Sequence, residues 1–561
     1  MGLHPIISEL LRRRGICGQG DIEEFLAERP KLTYDPFLLK NMREGVDFIL
    51  SAVRRGRNIC VYGDYDADGV TSAALMTQAL RALTDKVSWY IPSRFDEGYG
   101  LNKEALASIA ASGGQVVVTV DCGSVSAEEV AYGQELGLEI LVTDHHNIEG
   151  RAAGCLIINP KQEGETYPFP HLAGCGVAFK LVQALQRETG MPRGILSEAL
   201  DLVAIATVAD VVPLTGENRT IVKYGLRALN RTDRLGLRRL IRRAGLEGKE
   251  ITSGNVAFVI APHMNAAGRM GEAREVAEWL LTEDSEVAER VTEALVEQNA
   301  LRKRVQEEVF ELCRGIVEFE MEDDPIYVIN AGDAHEGITG IVAGKLKERY
   351  NKPTLILTEA RGDEGALKGA GTDGGAARGA LLKGTGRSVP GIDIYKLLKK
   401  YERFFLKFGG HAMACGFLLR SEHEEEFRQG LIADVGAMAA ANPTLLERGL
   451  EADAELRPQD MDAALINSLK LMEPFGNGNE APVFVMRDLP LRGVAYMGDR
   501  GQHVRFNAGG AHCVLFRYAE DFADVLHDGA RADLYGRPSA DSWNGRERVQ
   551  FIVERICPTA R

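Results

Sequence analysis

The sequence predicts an α/β protein in several domains: a mostly parallel sheet, a second α/β domain joined to it by a long helix, and a small C-terminal β-barrel. Three observations predict it. Short apolar, strand-like runs alternate with helix-like stretches early in the chain, the pattern of a parallel sheet covered on both faces. Over residues 285–318, Val287, Val291, Ala294, Gln298, Leu301, Val305, Val309 and Leu312 recur three or four apart, which is one long amphipathic helix. Past residue 446, short strands separated by turns such as Gly509-Gly510 replace that rhythm. A chain of 561 residues exceeds one core and should hold about three or four domains.

In order, residues 1–44 read as a small helical segment. The first strand is 58–63, followed by an Ala- and Leu-rich helix at 72–83. Further strands are expected at 87–91, 115–120, 138–143 and 156–159, with right-handed crossovers. Buried helices follow at 179–187 and 196–208, and more helix runs to about 282 before the long helix. A second α/β domain opens near Pro325 with a strand at 326–329, includes 354–357, and closes past 415–419. Inside it, the Gly- and Ala-rich residues 361–387 are expected to form a mobile loop. Strands at 483–486, 504–506, 513–516, 531–535 and 549–552 make the barrel, with an OB-fold as the expected form. The resulting division is 1–44, 45–225, 226–320, 321–435 and 446–561.

Composition narrows the class. No apolar run is long enough to cross a bilayer. Leu10 and Leu11 precede Arg12 to Arg14, the wrong order for a secretory signal, and Gly2 lacks the downstream Ser or Thr of a myristoylation site. Nine scattered cysteines without a C-x-x-C pair argue for reduced thiols in a cytoplasm, and against a disulfide framework or a zinc site. The net charge of −15 does not exclude a polyanionic substrate, because metal ions neutralise their own acids. A basic cluster of Arg231, Arg234, Arg238, Arg239, Arg242 and Arg243 reads equally as a solvated helix face or a nucleic-acid contact.

The chemistry lies where elements end. Strand 58–63 runs into Asp64, Asp66 and Asp68 at every second position and closes on Gly69. Strand 115–120 ends on Asp121, strand 138–143 on Asp144-His145-His146, and helix 196–208 runs to Asp210. A calcium loop of D-x-D-x-D-G type would need a Glu where Leu75 stands, and a helix where a strand enters. Ligands of open α/β sheets sit beyond the carboxyl ends of the strands, so the acids can converge on one rim. Crowded there, they repel one another unless a cation intervenes. Carboxylates with one or two imidazoles suit Mn²⁺ or Mg²⁺ better than zinc. Six candidate ligands exceed the needs of one ion, which points to a bridged pair able to activate water for phosphoryl transfer.

Several strings carry a family resemblance. VYGDYDADGVTS, IPSRFDEGYGL, VTVDCG, TDHH and ATVADVVPL are followed by MNAAGRM, HEGITGIVAGKL, GTGRS, FGGHAMACGF and MEPFGNGN. In that order, over nearly the whole chain, they resemble the DHH phosphoesterase family, and within it the RecJ branch of single-stranded-DNA-specific exonucleases. The resemblance implies a DHH domain, a DHH-associated domain and the barrel. It implies a metal-dependent exodeoxyribonuclease of DNA repair and recombination, working from the 5′ end and releasing 5′-mononucleotides with two Mn²⁺ or Mg²⁺ ions. Asp66 and Asp121 would serve one ion, with Asp64 nearby. Asp68, Asp121, His145 and Asp210 would serve the second, so that Asp121 bridges. His146 would lie close to the scissile phosphate, and Asp144 would orient the histidines. A related subgroup has a histidine ligand where this chain has Tyr62, so water is expected to complete the first ion's shell.

For the substrate, the resemblance implies that Gly409, Gly410 and His411 approach its phosphate. Thr385 and Arg387, with Arg94, would form a pocket for a terminal 5′-phosphate. Asn265 and Arg269 would face the strand's backbone, and Phe95 or Tyr99 would stack on a base. His263 stands where the family commonly has Arg, and Ala334 where it has an aromatic. Single-stranded DNA is the implied partner, together with a single-stranded-DNA-binding protein and a helicase. The protein is expected to be a cytoplasmic monomer away from membranes. Two other readings stand beside this one. A DHH phosphodiesterase for short oligoribonucleotides or cyclic dinucleotides would typically lack the barrel and the extended middle. A non-catalytic binding protein would have lost the metal acids, all of which this chain keeps.

Overall fold

The computed structural model describes residues 4–94, 97–98, 100–148, 150–360, 380–447, 449, 451–499, 501–516, 522–543 and 546–559. Phe95, Tyr99 and residues 361–379 lie outside the described residues. The chain divides into two compact units. One comprises Met1–Asn265, Ala273–Thr292 and Leu450–Arg561; the other comprises Ala266–Glu272 and Glu293–Gly449. The long helix is continuous over Ser285–Glu320, as its apolar spacing requires.

In the first unit, β1 (Ile59–Gly63), β2 (Val87–Tyr90), β3 (Val116–Val120), β4 (Glu139–Thr143) and β5 (Leu156–Ile158) form an all-parallel sheet. Its order is β2-β1-β3-β4-β5. Every residue of β1 and β3 is buried, which explains why these strands read as unbroken apolar runs. Leu106, Ile109 and Val130, from helices Lys103–Ala111 and Ala127–Glu135, join Cys60, Val117 and Ile140 in one core cluster. Helix Ala67–Arg81 packs on β1, and helix Gly174–Thr189 on β3 and β4. From β1 the chain steps to β2 on one side and then to β3 on the other. The order reverses there, and such a reversal opens a crevice at the carboxyl ends of the two central strands.

The second unit holds a mixed sheet of β6 (Tyr327–Asn330), β7 (Thr354–Glu359), β8 (Leu381–Arg387), β9 (Phe405–His411) and β10 (Ala414–Arg420). Its order is β6-β7-β8-β10-β9, parallel only at the first pair. The long helix buries Val309, Phe310, Cys313 and Val317 with Ile338 and Val342. The strand β8 corrects the expectation of a loop through residue 387. Leu382, Gly384 and Gly386 alternate inward, and a Cβ on Gly384 would come within 2.1 Å of the Phe417 ring. Glycine there is a packing requirement, not a sign of mobility.

The barrel belongs to the first unit. It is built from β11 (Ala454–Glu455), β12 (Phe484–Met497), β13 (His503–Ala508), β14 (Ala511–Leu515), β15 (Arg531–Trp543) and β16 (Arg546–Pro558). Pairing runs β12-β13-β14-β16-β15 and closes through β12 with β15, a five-stranded barrel. Register shifts along β12 let one strand serve two neighbours. Helix Pro5–Arg13 buries Ile7, Leu10 and Leu11 in the same core as Leu465, Phe484, Phe506 and Phe551. Three buried charged residues anchor the segment that follows. Lys180 pairs with Glu217, which also accepts from Tyr167 Oη at 2.5 Å and Thr33 Oγ1 at 2.8 Å. Arg219 donates to the carbonyls of Phe25, Met472 and Glu473. Among the described residues no helix is long and apolar enough to cross a membrane.

Because Leu11 is fully buried in the barrel core, Leu11→Ala is expected to lower the unfolding free energy by about 2–5 kcal/mol. Denaturant unfolding followed by circular dichroism measures this. A loss under about 0.5 kcal/mol, the range of ordinary surface substitutions, would show that the helix is not part of that core.

Candidate metal centre

The rim of the crevice is assembled by three strand ends and two helix ends. Just past β1, Asp66 caps the helix Ala67–Arg81, its Oδ1 accepting from the amides of Asp68 at 2.9 Å and Gly69 at 3.1 Å. The helix therefore starts at Ala67 instead of residue 72, and Asp68 sits buried in its first turn. Asp68 in turn receives the amides of Gly174 and Cys175, each at 2.7 Å, at the start of helix Gly174–Thr189. A helix N-terminus aimed at a carboxylate stabilises the ionised form. Asp121 follows β3 with φ of 63°, an uncommon conformation for a non-glycine residue. A Cβ on Gly174 would lie 2.4 Å from Asp121 Oδ1, so only glycine fits at that helix start.

Past β4, Asp144 is a hub. Its carboxylate accepts from the amides of Ser124 at 3.0 Å, His145 at 2.7 Å and His146 at 3.2 Å, and lies 2.8 Å from His146 Nδ1. Asp210 ends helix Gly194–Ala209. His145 Nε2 lies 3.1 Å from Asp121 Oδ1, 3.6 Å from Asp210 Oδ2 and 3.8 Å from Asp68 Oδ2. Though buried, Asp64 Oδ1, Asp121 Oδ1 and His145 Nε2 have no hydrogen-bond partner among the described residues. Three groups have ligand atoms within 4.8 Å of one another: Asp64 with Asp66 and Asp121, Asp68 with His145 and Asp210, and Asp121 with His145 and His146.

Burial, and then the neighbouring carboxylates, push Asp64 and Asp68 up to about 7 and Asp210 up to about 8. Asp121 is raised well above its ordinary value for the same reasons. Burial, then the charge of His146, lowers His145 to about 3, so its imidazole is neutral. For His146 burial works the other way, but the hydrogen bond to Asp144 and the surrounding carboxylates raise it to about 9. Burial likewise opposes the ionised form of Asp144, yet His146 and His145 hold its carboxyl well below the usual range. Crowded anionic oxygens, one neutral imidazole and orphaned buried ligand atoms fit a pair of hard divalent cations. Asp121 belongs to two of these groups.

The other expected site residues fall as follows. Tyr62 is fully buried and turns away, donating to Gly100 O at 2.8 Å and accepting from Asn102 at 3.1 Å. Arg94 stands over the Tyr65 ring, 5.2 Å from its centroid. Asn265 uses its Oδ1 on the Ala67 amide at 2.8 Å, bracing the Asp66 turn; no sequence signal announced that role. Arg269 donates to Gly337 O at 2.7 Å. Thr385 and Arg387 lie on β8, with Thr339 Oγ1 3.3 Å from Thr385 Oγ1. The Arg387 guanidinium donates to Gly386 O at 2.9 Å, and burial lowers its pKa; among the described residues no carboxylate pairs with it. Gly409, Gly410 and His411 end the edge strand β9, opposite Gly416, Cys415 and Ala414 of β10. His263 faces back along its own helix, Nδ1 lying 2.6 Å from Val259 O. The basic cluster is largely neutralised, Arg234 by Asp201, Arg239 and Arg243 by Glu289, and Arg242 by Glu247.

Comparison with known proteins finds relatives over nearly the whole chain. The DHH family, N-terminal domain, matches residues 58–207, the DHHA1 domain residues 323–436, and the RecJ OB domain residues 452–555. A protein of Bacillus subtilis (strain 168) named single-stranded-DNA-specific exonuclease RecJ is 34% identical over 561 residues, covering 98% of this chain and 67% of that one. The protein of that name from Escherichia coli (strain K12) is 31% identical over 589 residues, covering 99% and 96%. The crystal structure of RecJ from Thermus thermophilus in complex with Mn²⁺ aligns with a TM-score of 0.82 at 28% identity, covering 100% of this chain and 76% of that one. The Mg²⁺ complex gives 0.76 at 27% identity, covering 100% and 75%.

Mn²⁺ at about 100 times its Kd is expected to stabilise the protein by about 2.7 kcal/mol. Asp121→Asn should lose most of that gain, yet melt above the wild type in chelator, because one crowded charge is gone. Differential scanning calorimetry with and without Mn²⁺ checks both; an unchanged metal response in Asp121→Asn would remove this residue from the ligand set.

Proposed function

The chain belongs to the RecJ family of single-stranded-DNA-specific exonucleases, and from that premise we propose how its residues carry the reaction. It is a metal-dependent exonuclease that hydrolyses the phosphodiester bonds of single-stranded DNA with Mn²⁺ or Mg²⁺. The reading is carried by the convergence of Asp64, Asp66, Asp68, Asp121, His145 and Asp210 at the carboxyl ends of the sheet. When bound, two such ions activate a water for attack on phosphorus and stabilise the departing oxygen.

Asp66 and Asp121, with Asp64, would hold one ion, and Asp68, Asp121, His145 and Asp210 would hold the other. Asp144 fixes His146 through Nδ1, leaving its charged imidazole to meet the oxygens of the scissile phosphate. Degradation starts at the 5′ end and releases 5′-mononucleotides. Arg387, unpaired with any described carboxylate, receives the terminal phosphate beside Thr385. Arg269 and the side-chain amide nitrogen of Asn265 face the strand's backbone, and Gly409, Gly410 and His411 approach its phosphate. The barrel binds the strand upstream by stacking and charge. These roles divide the chain into a helical segment 1–44, a catalytic domain 45–225, a helical connector 226–320, a substrate-binding domain 321–435 and the barrel 446–561. A single-stranded-DNA-binding protein and a helicase are the working partners of a cytoplasmic monomer that acts in DNA repair and recombination.

Strands labelled at one end or the other test the polarity: with Mn²⁺ present the 5′ label should be released as a mononucleotide first. Release of a 3′ label first would overturn it. His146→Ala is expected to lower kcat by about 10²–10³-fold while the Mn²⁺-induced stabilisation stays at the wild-type level. For Arg387→Ala, KM should rise on 5′-phosphorylated strands and become equal to that on 5′-hydroxyl strands. A retained preference for the phosphate would place that pocket elsewhere.

A further inference from the structure

Beside Asp210 the first unit contains a cavity of about 350 Å³ to which neither the metal ligands nor the phosphate contacts give a use. Its walls include Val211, Val212, Phe258, Pro262, Phe475 and Asn477. Among the described residues no lysine, arginine or carboxylate lines it, so it suits neither a phosphate nor a cation. Two of its apolar side chains are turned outward, Phe258 being 82% exposed and Val211 63% exposed. Burial of apolar surface is the usual fate of such residues beside a concave wall, and their exposure here points to a ligand face.

The backbone is distorted at both places. Val211 has φ of 58°, where a β-branched side chain is rarely found. It is held there from outside: Asn477 Nδ2 donates to Val211 O at 2.7 Å, and Leu214 N donates to Asn477 O at 2.7 Å. Ser253 Oγ pins the same loop through Phe475 O at 2.6 Å. Phe258 sits in a π-helical turn, Val256–Ile260, set between Ser253–Asn255 and the helix Ala261–Met270. Val256 and Ile260 of that turn are buried while Phe258 projects, so the widened turn re-aims one ring. Departures of this kind persist where surrounding contacts over-determine them, and they gather at ligand sites. Asn265 also lines the cavity and braces the Asp66 turn through the Ala67 amide. The cavity is thus continuous with the elements that carry Asp210 and Asp66.

We propose that this cavity receives a nucleobase of the strand being degraded, at a nucleotide flanking the scissile phosphate, with Phe258 as its stacking face and Val211 as the opposing contact. The proposal rests on the exonuclease reading above. A flat aromatic ring with polar edges matches a mostly apolar slot that offers Asn477 and Asn265 at its border. Stacking accepts every base, as an enzyme that must degrade any sequence requires. Seating the base would hold the adjoining phosphate at the metal centre, so Phe258 is a positioning residue for the reaction.

Phe258→Ala removes an exposed ring and should fold as the wild type does, with an unchanged Mn²⁺-induced stabilisation. It is expected to lower kcat/KM on unmodified single strands roughly tenfold, with Phe258→Trp restoring it. Substrates carrying a single abasic nucleotide at successive positions from the degraded end give the second readout. Wild-type degradation should slow at the position whose base enters the cavity, and Phe258→Ala should show no further loss there. In an Asp121→Ala background, where turnover is blocked, 2-aminopurine at that position should be quenched only when Phe258 is present. Activity of Phe258→Ala within twofold of wild type, or independent losses from the variant and every abasic position, would overturn the proposal. A wild-type protein that degrades no single strand would instead overturn the exonuclease reading.

Discussion

Asp68, Asp121 and Asp210 crowd around the single neutral imidazole of His145, with Asp64 grouped beside Asp121, most of them away from water. Two unit charges 4 Å apart repel by about 4 kcal/mol in the effective dielectric of a protein surface. No arrangement of these side chains alone relieves that, and their raised pKa values express it. The fold brings them together through backbone geometry that local preference would avoid, such as the left-handed Asp121. A divalent pair converts the repulsion into binding energy. Metal affinity, strain at the strand ends and reactivity toward a phosphodiester therefore share one origin.

The supports around this cluster are as specific as the cluster itself. The start of helix Gly174–Thr189 delivers two amides to Asp68 and leaves room for Asp121 only because position 174 lacks a Cβ. Asp144 takes four hydrogen bonds, one of them from the His146 imidazole that it holds toward the charged form, while burial lowers His145. The loop leading to the barrel is pinned to the turn after Asp210, through Asn477 to Val211 and Leu214. Arg219 binds that same approach to Phe25. The N-terminal segment and the barrel thus share one core, and hydrogen bonds from Arg219 and Asn477 tie them to the helices beside the catalytic sheet within the first unit.

Where sequence reading went astray, a non-local contact had changed the meaning of a residue. Gly384 and Gly386 look like loop residues, but they are small because Phe417 and Cys415 cross them in a sheet. The Asp66 turn looks like a loop because its residues are acidic; capping by Asp66 and the Asn265 brace start the helix at Ala67. Nothing in Ile7, Leu10 and Leu11 says that their partners lie beyond residue 450.

The parallel sheet, the long helix, the barrel strands and the run of acids that follow strand ends were legible from the sequence alone. Each depends on local rules: apolar spacing at period two or near 3.6, and acidic residues directly after a strand. Tertiary structure alone decided that the acids meet at the order reversal between β1 and β3. It alone decided that burial lowers His145 while the hydrogen bond to Asp144 raises His146, and that Val211 and Phe258 open beside Asp210. Burial, charge and strain at those residues come from segments distant in the chain, and residue spacing records no distances across space.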